Sequence, residues 1–268
     1  MPEGDTVHGI AAGIRERIAG QTLRRVGGTS TAARSHAYRL VGARVEAVEA
    51  VGKHLLIDFE GGWTLHVHLG MTGRWRFGPP TGRRGDGRCR VALETAGWSL
   101  RCYDAPSVEL DRSPRIWRSI SRLGPDLAVS DPDLGEAVSR ARAGEPRNTI
   151  SQIMLDQSVA AGIGNVYRNE VLFETGIHPA TPVGSLDDEQ LMTTFGRAAR
   201  QLRLNSGRRR STTGARGHRM RLYVYEREDR PCRRCGTRIR RDRIAGRATF
   251  WCPSCQRESR RNADRGPG

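Results

Sequence analysis

The sequence predicts an α+β protein of several domains. A helix packed on an antiparallel β-sandwich comes first, an all-helical domain second, and a small four-cysteine module last. Three observations carry this prediction. The apolar period is helical at the N-terminus, becomes two between residues 44 and 103, and is helical again from Thr149. Breakers crowd the second change, with Pro114, Pro125 and Pro132 around it. Two Cys-x-x-Cys pairs, Cys232/Cys235 and Cys252/Cys255, stand sixteen residues apart near the end.

Each element follows from its residues. Asp5 or Thr6 can cap a first helix whose Val7, Ile10, Ala11, Ile14 and Ile18 recur at helical spacing, with Gly20 as the stop. Arg44–Val51 alternates polar and apolar residues, Leu55–Phe59 follows, Gly61-Gly62 turns, and Trp63–Leu69 alternates again. Arg74–Phe77, Cys89–Glu94 and Trp98–Tyr103 read as further strands. Residues 1–115 are therefore expected to form the sandwich, with Gly78–Gly87 as a surface loop. A linker is expected over 116–132, and helices over 133–204 flank the glycine turn Ala160–Gly164. A basic cysteine-bearing module is expected over 205–257, and a disordered tail over 258–268.

Composition narrows the class. The 268 residues carry 45 Lys+Arg against 29 Asp+Glu, a net charge of +16, which points to a polyanionic partner. The excess is local: residues 205–268 hold 19 arginines against 6 acidic residues. No apolar run reaches membrane-spanning length and the first twenty residues lack a signal-peptide core, so a soluble cytoplasmic protein is expected. The cysteine spacing matches a four-thiolate zinc ribbon, in which Zn²⁺ replaces the core that so short a module lacks. With all four positions filled by Cys232, Cys235, Cys252 and Cys255, the metal would be structural. Cys89 and Cys102 read as buried strand thiols.

Three further residues stand out chemically. If Met1 is removed, Pro2 presents a free secondary amine. An α-amino group titrates near ~8 and a lysine near ~10.4, so the terminus is the readier nucleophile at neutral pH. Glu3, one residue on, can serve the same centre as acid or base. Among the basic residues only Lys53 is lysine, and lysine, unlike arginine, can give up its proton.

Four stretches together resemble the formamidopyrimidine-DNA glycosylase / endonuclease VIII family of base-excision repair enzymes. They are Pro2-Glu3-Gly4, Gly52-Lys53-His54-Leu55, Leu155–Glu170 around the glycine turn, and Gly246–Phe250 leading into Cys252. The resemblance implies a β-sandwich, a helix-two-turn-helix domain over 133–204 and a zinc finger, with DNA in the cleft between. It implies Pro2 as the nucleophile at C1′ of the damaged nucleotide, Glu3 as the acid that protonates the opening sugar, and Lys53 as a phosphate contact that assists catalysis. It further implies Asn165 and Arg247 as phosphate ligands and Met71 as the side chain inserted where a base is everted.

The function implied is a DNA glycosylase / AP lyase, acting as a nucleoid-associated monomer on double-stranded DNA with a damaged or abasic nucleotide, and involving no membrane. Gly4-Asp5-Thr6 looks more like the endonuclease VIII branch, which favours oxidised pyrimidines. Leu69-Gly70-Met71 looks more like the other branch, which takes oxidised purines, and Asp111-Arg112-Ser113 is too loose to supply that branch's arginine–phenylalanine pair. The rival readings are a catalytically silent damage-specific DNA binder and a zinc-ribbon RNA-binding factor; the latter leaves Pro2-Glu3 and Lys53 without a role.

Overall fold

The computed structural model describes residues 1–82, 86–214, 221–244 and 246–257. The chain divides into two compact units, Met1–Arg122 and Leu123–Gly268. The expected tail over 258–268 and the centre of the Gly78–Gly87 loop lie outside the described residues.

The first unit opens with α1 (Gly4–Ile18). Its cap is neither Asp5 nor Thr6 but Glu3, whose extended backbone lets its carbonyl accept the N–H groups of Thr6 and Val7. The first turn is thus closed by the main chain, with no side-chain cap. Eight strands follow: β1 (Arg25–Gly27), β2 (Val45–Val51), β3 (His54–Phe59), β4 (Trp63–His68), β5 (Arg74–Gly78), β6 (Cys89–Glu94), β7 (Ser99–Tyr103) and β8 (Ser107–Arg112). A short helix, α2 (Thr31–Ser35), lies between β1 and β2. The strands form two four-stranded sheets, ordered β1-β6-β7-β5 and β2-β3-β4-β8, every pairing antiparallel.

The period of two decides which face is buried. Leu55, Ile57 and Phe59 on β3, with Leu65 and Val67 on β4, join Val91, Leu93, Leu100 and Cys102 of the other sheet in one core. The buried stripe of α1, Val7, Ala11, Ile14 and Ile18, closes it. Each of these large side chains contributes ~1.5–3 kcal/mol by leaving water. A helix, α3 (Ser113–Ile120), continues past β8 into the stretch read as a linker. Pro114 does not break it because it sits in the first turn, where no helical N–H is required.

The second unit holds α4 (Leu134–Ala143), α5 (Ile150–Leu155), α6 (Asn165–Thr175) and α7 (Asp188–Asn205), then the hairpin β9 (Arg240–Ile244) and β10 (Arg247–Trp251). Caps start three of the helices: Asp133 for α4, and capping boxes Thr149/Gln152 and Asp187/Gln190 for α5 and α7. Gly176, left-handed at φ 74°, ends α6. The cysteine module, read as a domain by itself, shares this unit with the helices. The reason is Phe173 of α6, which leaves the helical core and packs with Val224, Ile239 and Phe250. Among the described residues no helix is long and apolar enough to cross a membrane.

Candidate active site and nucleic-acid interface

In the first unit, Pro2 is half-buried and Glu3 fully buried immediately ahead of α1. Their position is set by α1, which packs along β2 and β3. Lys53 is half-buried in the tight turn between those strands, made possible by Gly52 at φ 57°. Met71 occupies the turn Leu69–Gly73. A Cβ on Gly70 would come within 2.7 Å of Pro106, and one on Gly73 within 2.4 Å of the Leu69 carbonyl oxygen, so both positions demand glycine. The turn therefore presents Met71 outward, 66% exposed, and the side chain is no part of the core.

Three of the seven histidines cluster on β3 and β4, beginning at His54 next to Lys53 in the chain, a group that sequence reasoning did not single out. His54 pairs with His68 across β3 and β4, and His66 pairs with Glu109 across β4 and β8. His54 Nδ1 lies 2.8 Å from His66 Nε2, and His66 Nδ1 lies 3.8 Å from Glu109 Oε2. Burial, helped by the charges of His66, His68 and Lys53, pushes His54 down to about 4. Burial also lowers His66, against the pull of Glu109, and lowers His68. All three are lowered from their ordinary value, so the trio is neutral near pH 7. The only advance signal was the His-Val-His alternation at 66–68, which becomes a cluster once β3 and β4 are in register.

In the second unit, the stretch Asn165–Glu170 acts as a clamp. Asn165 Nδ2 donates to the Ala248 carbonyl at 3.0 Å, joining residues 83 apart in sequence. The fully buried Arg168 donates to the same carbonyl and to Thr249 Oγ1. Asn169 Oδ1 accepts the Phe250 N–H, and Glu170 accepts the N–H groups of Tyr223, Val224 and Tyr225 together with the Thr212 hydroxyl. The start of α6 is thereby bonded to the base of β10, whose first residue, exposed Arg247, follows the hairpin turn at Gly246.

The four cysteines converge as the spacing predicts, their sulfurs all within 4.8 Å of one another. Tetrahedral Zn–S bonds of ~2.3 Å require sulfurs about 3.8 Å apart. The pairs Cys235–Cys252, Cys235–Cys255 and Cys232–Cys255 stand at 3.4, 3.5 and 3.9 Å. Zinc fits, with four thiolates filling its coordination, and its role is structural. Cys89 and Cys102 lie in the sandwich, fully buried. Burial pushes Cys102 up to about 12, as suits an inert core thiol.

Comparison with known protein families agrees with this arrangement. The formamidopyrimidine-DNA glycosylase N-terminal domain matches residues 1–107, the H2TH domain of the same enzymes matches 123–213, and the zinc finger found in FPG and IleRS matches 230–257. Fold and site thus define a zinc-finger DNA-repair glycosylase/lyase. Among curated relatives, the DNA-(apurinic or apyrimidinic site) lyase Nei2 of Mycolicibacterium smegmatis is 41% identical over 97% of this chain and 100% of its own length. Endonuclease 8 2 of Mycobacterium tuberculosis is 40% identical over 96% and 100%. The chain belongs to the formamidopyrimidine-DNA glycosylase family, among relatives named endonuclease 8. Its fold matches Lactococcus lactis formamidopyrimidine-DNA glycosylase bound to abasic-site DNA, with TM-score 0.82 and 23% identity over 96% of this chain and 100% of that one.

Proposed function

We propose that this chain is a bifunctional DNA glycosylase / AP lyase that excises oxidised bases, oxidised pyrimidines above all, through an imine at Pro2. The observation that carries the reading is the Pro2-Glu3 terminus set on the rigid start of α1, in a chain 41% identical to a relative named as an AP lyase.

The chemistry follows from the groups present. The damaged nucleotide must leave the stack before its sugar can be reached, at a cost of a few kcal/mol that damage itself reduces. Exposed Met71 fills the vacated space as a wedge. The Pro2 nitrogen attacks C1′ and the base departs; Glu3 protonates the ring oxygen as the sugar opens, leaving an iminium. That iminium draws electrons from the C2′–H bond, so loss of this proton expels the 3′ phosphate and the strand breaks. Lys53 contacts phosphate and assists in the first unit. In the second, Asn165 has one amide hydrogen on Ala248 and a second for a phosphate oxygen, beside Arg247. The partner is duplex DNA, engaged by a monomer in the nucleoid of the cytoplasm.

The preference for pyrimidines rests on the relatives named endonuclease 8 and on Gly4-Asp5-Thr6. A panel of duplexes carrying thymine glycol, dihydrouracil, 8-oxoguanine or an abasic site tests it. The two oxidised pyrimidines and the abasic site should be cleaved fastest. Faster release of 8-oxoguanine would overturn the preference, and binding without cleavage of any lesion would leave a silent DNA binder.

A further inference from the structure

A wedge must be presented at one place, and an exposed side chain on a turn is not fixed by exposure alone. The turn that carries Met71 is closed at its base, where the Gly73 N–H donates to the Leu69 carbonyl at 2.8 Å and Leu69 is buried in the sandwich core. Its apex, Met71 and Thr72, stands in solvent. What reaches that apex comes from the connection between β7 and β8. The Thr72 hydroxyl donates to the Asp104 carbonyl at 3.2 Å. Two residues on, the Pro106 ring lies against Gly70, leaving no room there for a Cβ.

Asp104 is built for more than a connection. Among the described residues of the first unit it is the one non-glycine with a left-handed backbone, at φ 56°. Such a conformation costs free energy in a residue with a Cβ, and it gathers where function requires it. The Asp104 side chain, 18% exposed, holds two guanidinium groups. Arg88 binds it in bidentate fashion, Nε to Oδ1 at 2.9 Å and Nη2 to Oδ2 at 2.7 Å, and Arg74 donates to Oδ2 as well. The Asp104 N–H in turn donates to the Arg88 carbonyl at 3.1 Å. Hydrogen bonds from Arg88, and then from Arg74, hold the carboxyl below the usual carboxylate range, so it stays charged at neutral pH.

The places of these partners matter. Arg74 opens β5 directly after the turn, and Arg88 directly precedes β6. Asp104 therefore ties the apex of the turn, the strand that leaves it and the start of a neighbouring strand to one point. The two arginine side chains are 40% and 66% exposed, and ion pairs so open to water contribute little to stability. A strained residue with a network of small stabilising value, set against the apex that presents Met71, is better accounted for by placement than by stability.

We propose that Asp104 is the positioning residue of Met71, holding the Leu69–Gly73 turn in the conformation that enters the base stack. The inference rests on the reading of Met71 as the wedge. Asp104 acts through the turn and not on the reacting atoms. With the apex fixed before DNA arrives, the cost of ordering it is not charged to the eversion step. Without Asp104 the methionine remains but samples many positions, and eversion slows.

The test uses full-length, zinc-loaded protein in single-turnover cleavage of whichever duplex of the lesion panel the wild type cleaves fastest. Asp104→Asn keeps the size, the carbonyl that receives Thr72 and the tolerance of a left-handed backbone, but loses the charge that holds the arginines. It should cleave about tenfold more slowly, within the ~10²-fold that a misplacement of about 1 Å can cost. In a Met71→Ala background the same change should cost less than about twofold, because no wedge remains to be placed. An equal loss in both backgrounds would mean a structural role and overturn the inference, as would a wild-type rate in Asp104→Asn. Should Asp104→Asn lose its melting transition, Thr72→Val, which removes only the hydroxyl, decides by the same comparison. Met71→Ala by itself separates the two levels. If it cleaves like the wild type, the wedge reading fails and the inference with it; if it is slow while Asp104→Asn is not, the inference alone falls. A wild type that cleaves no duplex of the panel ends both.

Discussion

Lys53 is one lysine among 45 basic residues, and the histidine cluster that begins next to it in the chain is held neutral by burial. A phosphate contact alone could be served by arginine, which offers more donors in a fixed fork. Arginine cannot lose its proton, so Lys53→Arg separates charge from proton transfer. Single-turnover base excision by this variant should fall by about 10²-fold, with thermal stability close to wild type because the site is half-exposed. Retained excision would reduce Lys53 to an electrostatic contact. The lysine was legible in the sequence by its rarity. The histidine cluster was not, because it depends on the β3–β4 register, which no local pattern states.

At the scale of elements, α6 is the chief lesson. Its sequence carries Arg168, Asn169 and Glu170, which on a helix of ordinary pattern would face water. All three are buried, and each bonds to the segments around the cysteine module. A polar helix face turned inward has no signature in hydrophobic periodicity, so the motif could be matched but its structural work could not be read. Similarly, Pro114 marks a boundary in sequence, yet whether it ends or begins a helix depends on the residues it joins. Periods and cysteine spacing, by contrast, gave six of the eight sandwich strands, the long helices and the four clustered cysteines directly. Glu170→Ala would leave one buried and two partly buried N–H groups without an acceptor, at a cost of about 3 kcal/mol. Urea unfolding of the zinc-loaded protein should show that loss, and a change under about 1 kcal/mol would contradict the clamp.

The β3–β4 histidines give their element an acid sensitivity. His54 is lowered from 6.5 to about 4 in the folded chain, so the unfolded chain binds the proton first as pH falls. Stability is whole above the unfolded value near 6.5 and is lost progressively as pH drops toward about 4. Thermal melts between these limits should show a falling midpoint that His54→Gln lessens. A flat midpoint in the wild type would contradict the neutral state of the cluster.

For the whole molecule, charge decides how DNA is met. Residues 205–268, the C-terminal quarter, hold 19 arginines, and binding through them releases condensed counterions, so affinity should fall steeply with salt. Arg247→Ala removes one proposed phosphate contact, and the slope of log affinity against log salt should drop by about 1 for damaged and undamaged duplex alike. An unchanged slope would move Arg247 out of the interface. The sequence displayed this asymmetry openly, because net charge needs no fold to be counted.

The central claim concerns which nitrogen forms the covalent bond, and the composition makes it unusually clean to test. With Met1 removed, the only aliphatic amines are the terminal nitrogen of Pro2 and the side chain of Lys53. The decisive measurement is borohydride reduction with an abasic duplex, followed by mass mapping of the adduct. The account predicts the sugar fragment on Pro2, in a chain lacking methionine, and loss of most of the adduct in Pro2→Gly. A fragment mapped to Lys53, or trapping undiminished when the terminus is blocked, would contradict it.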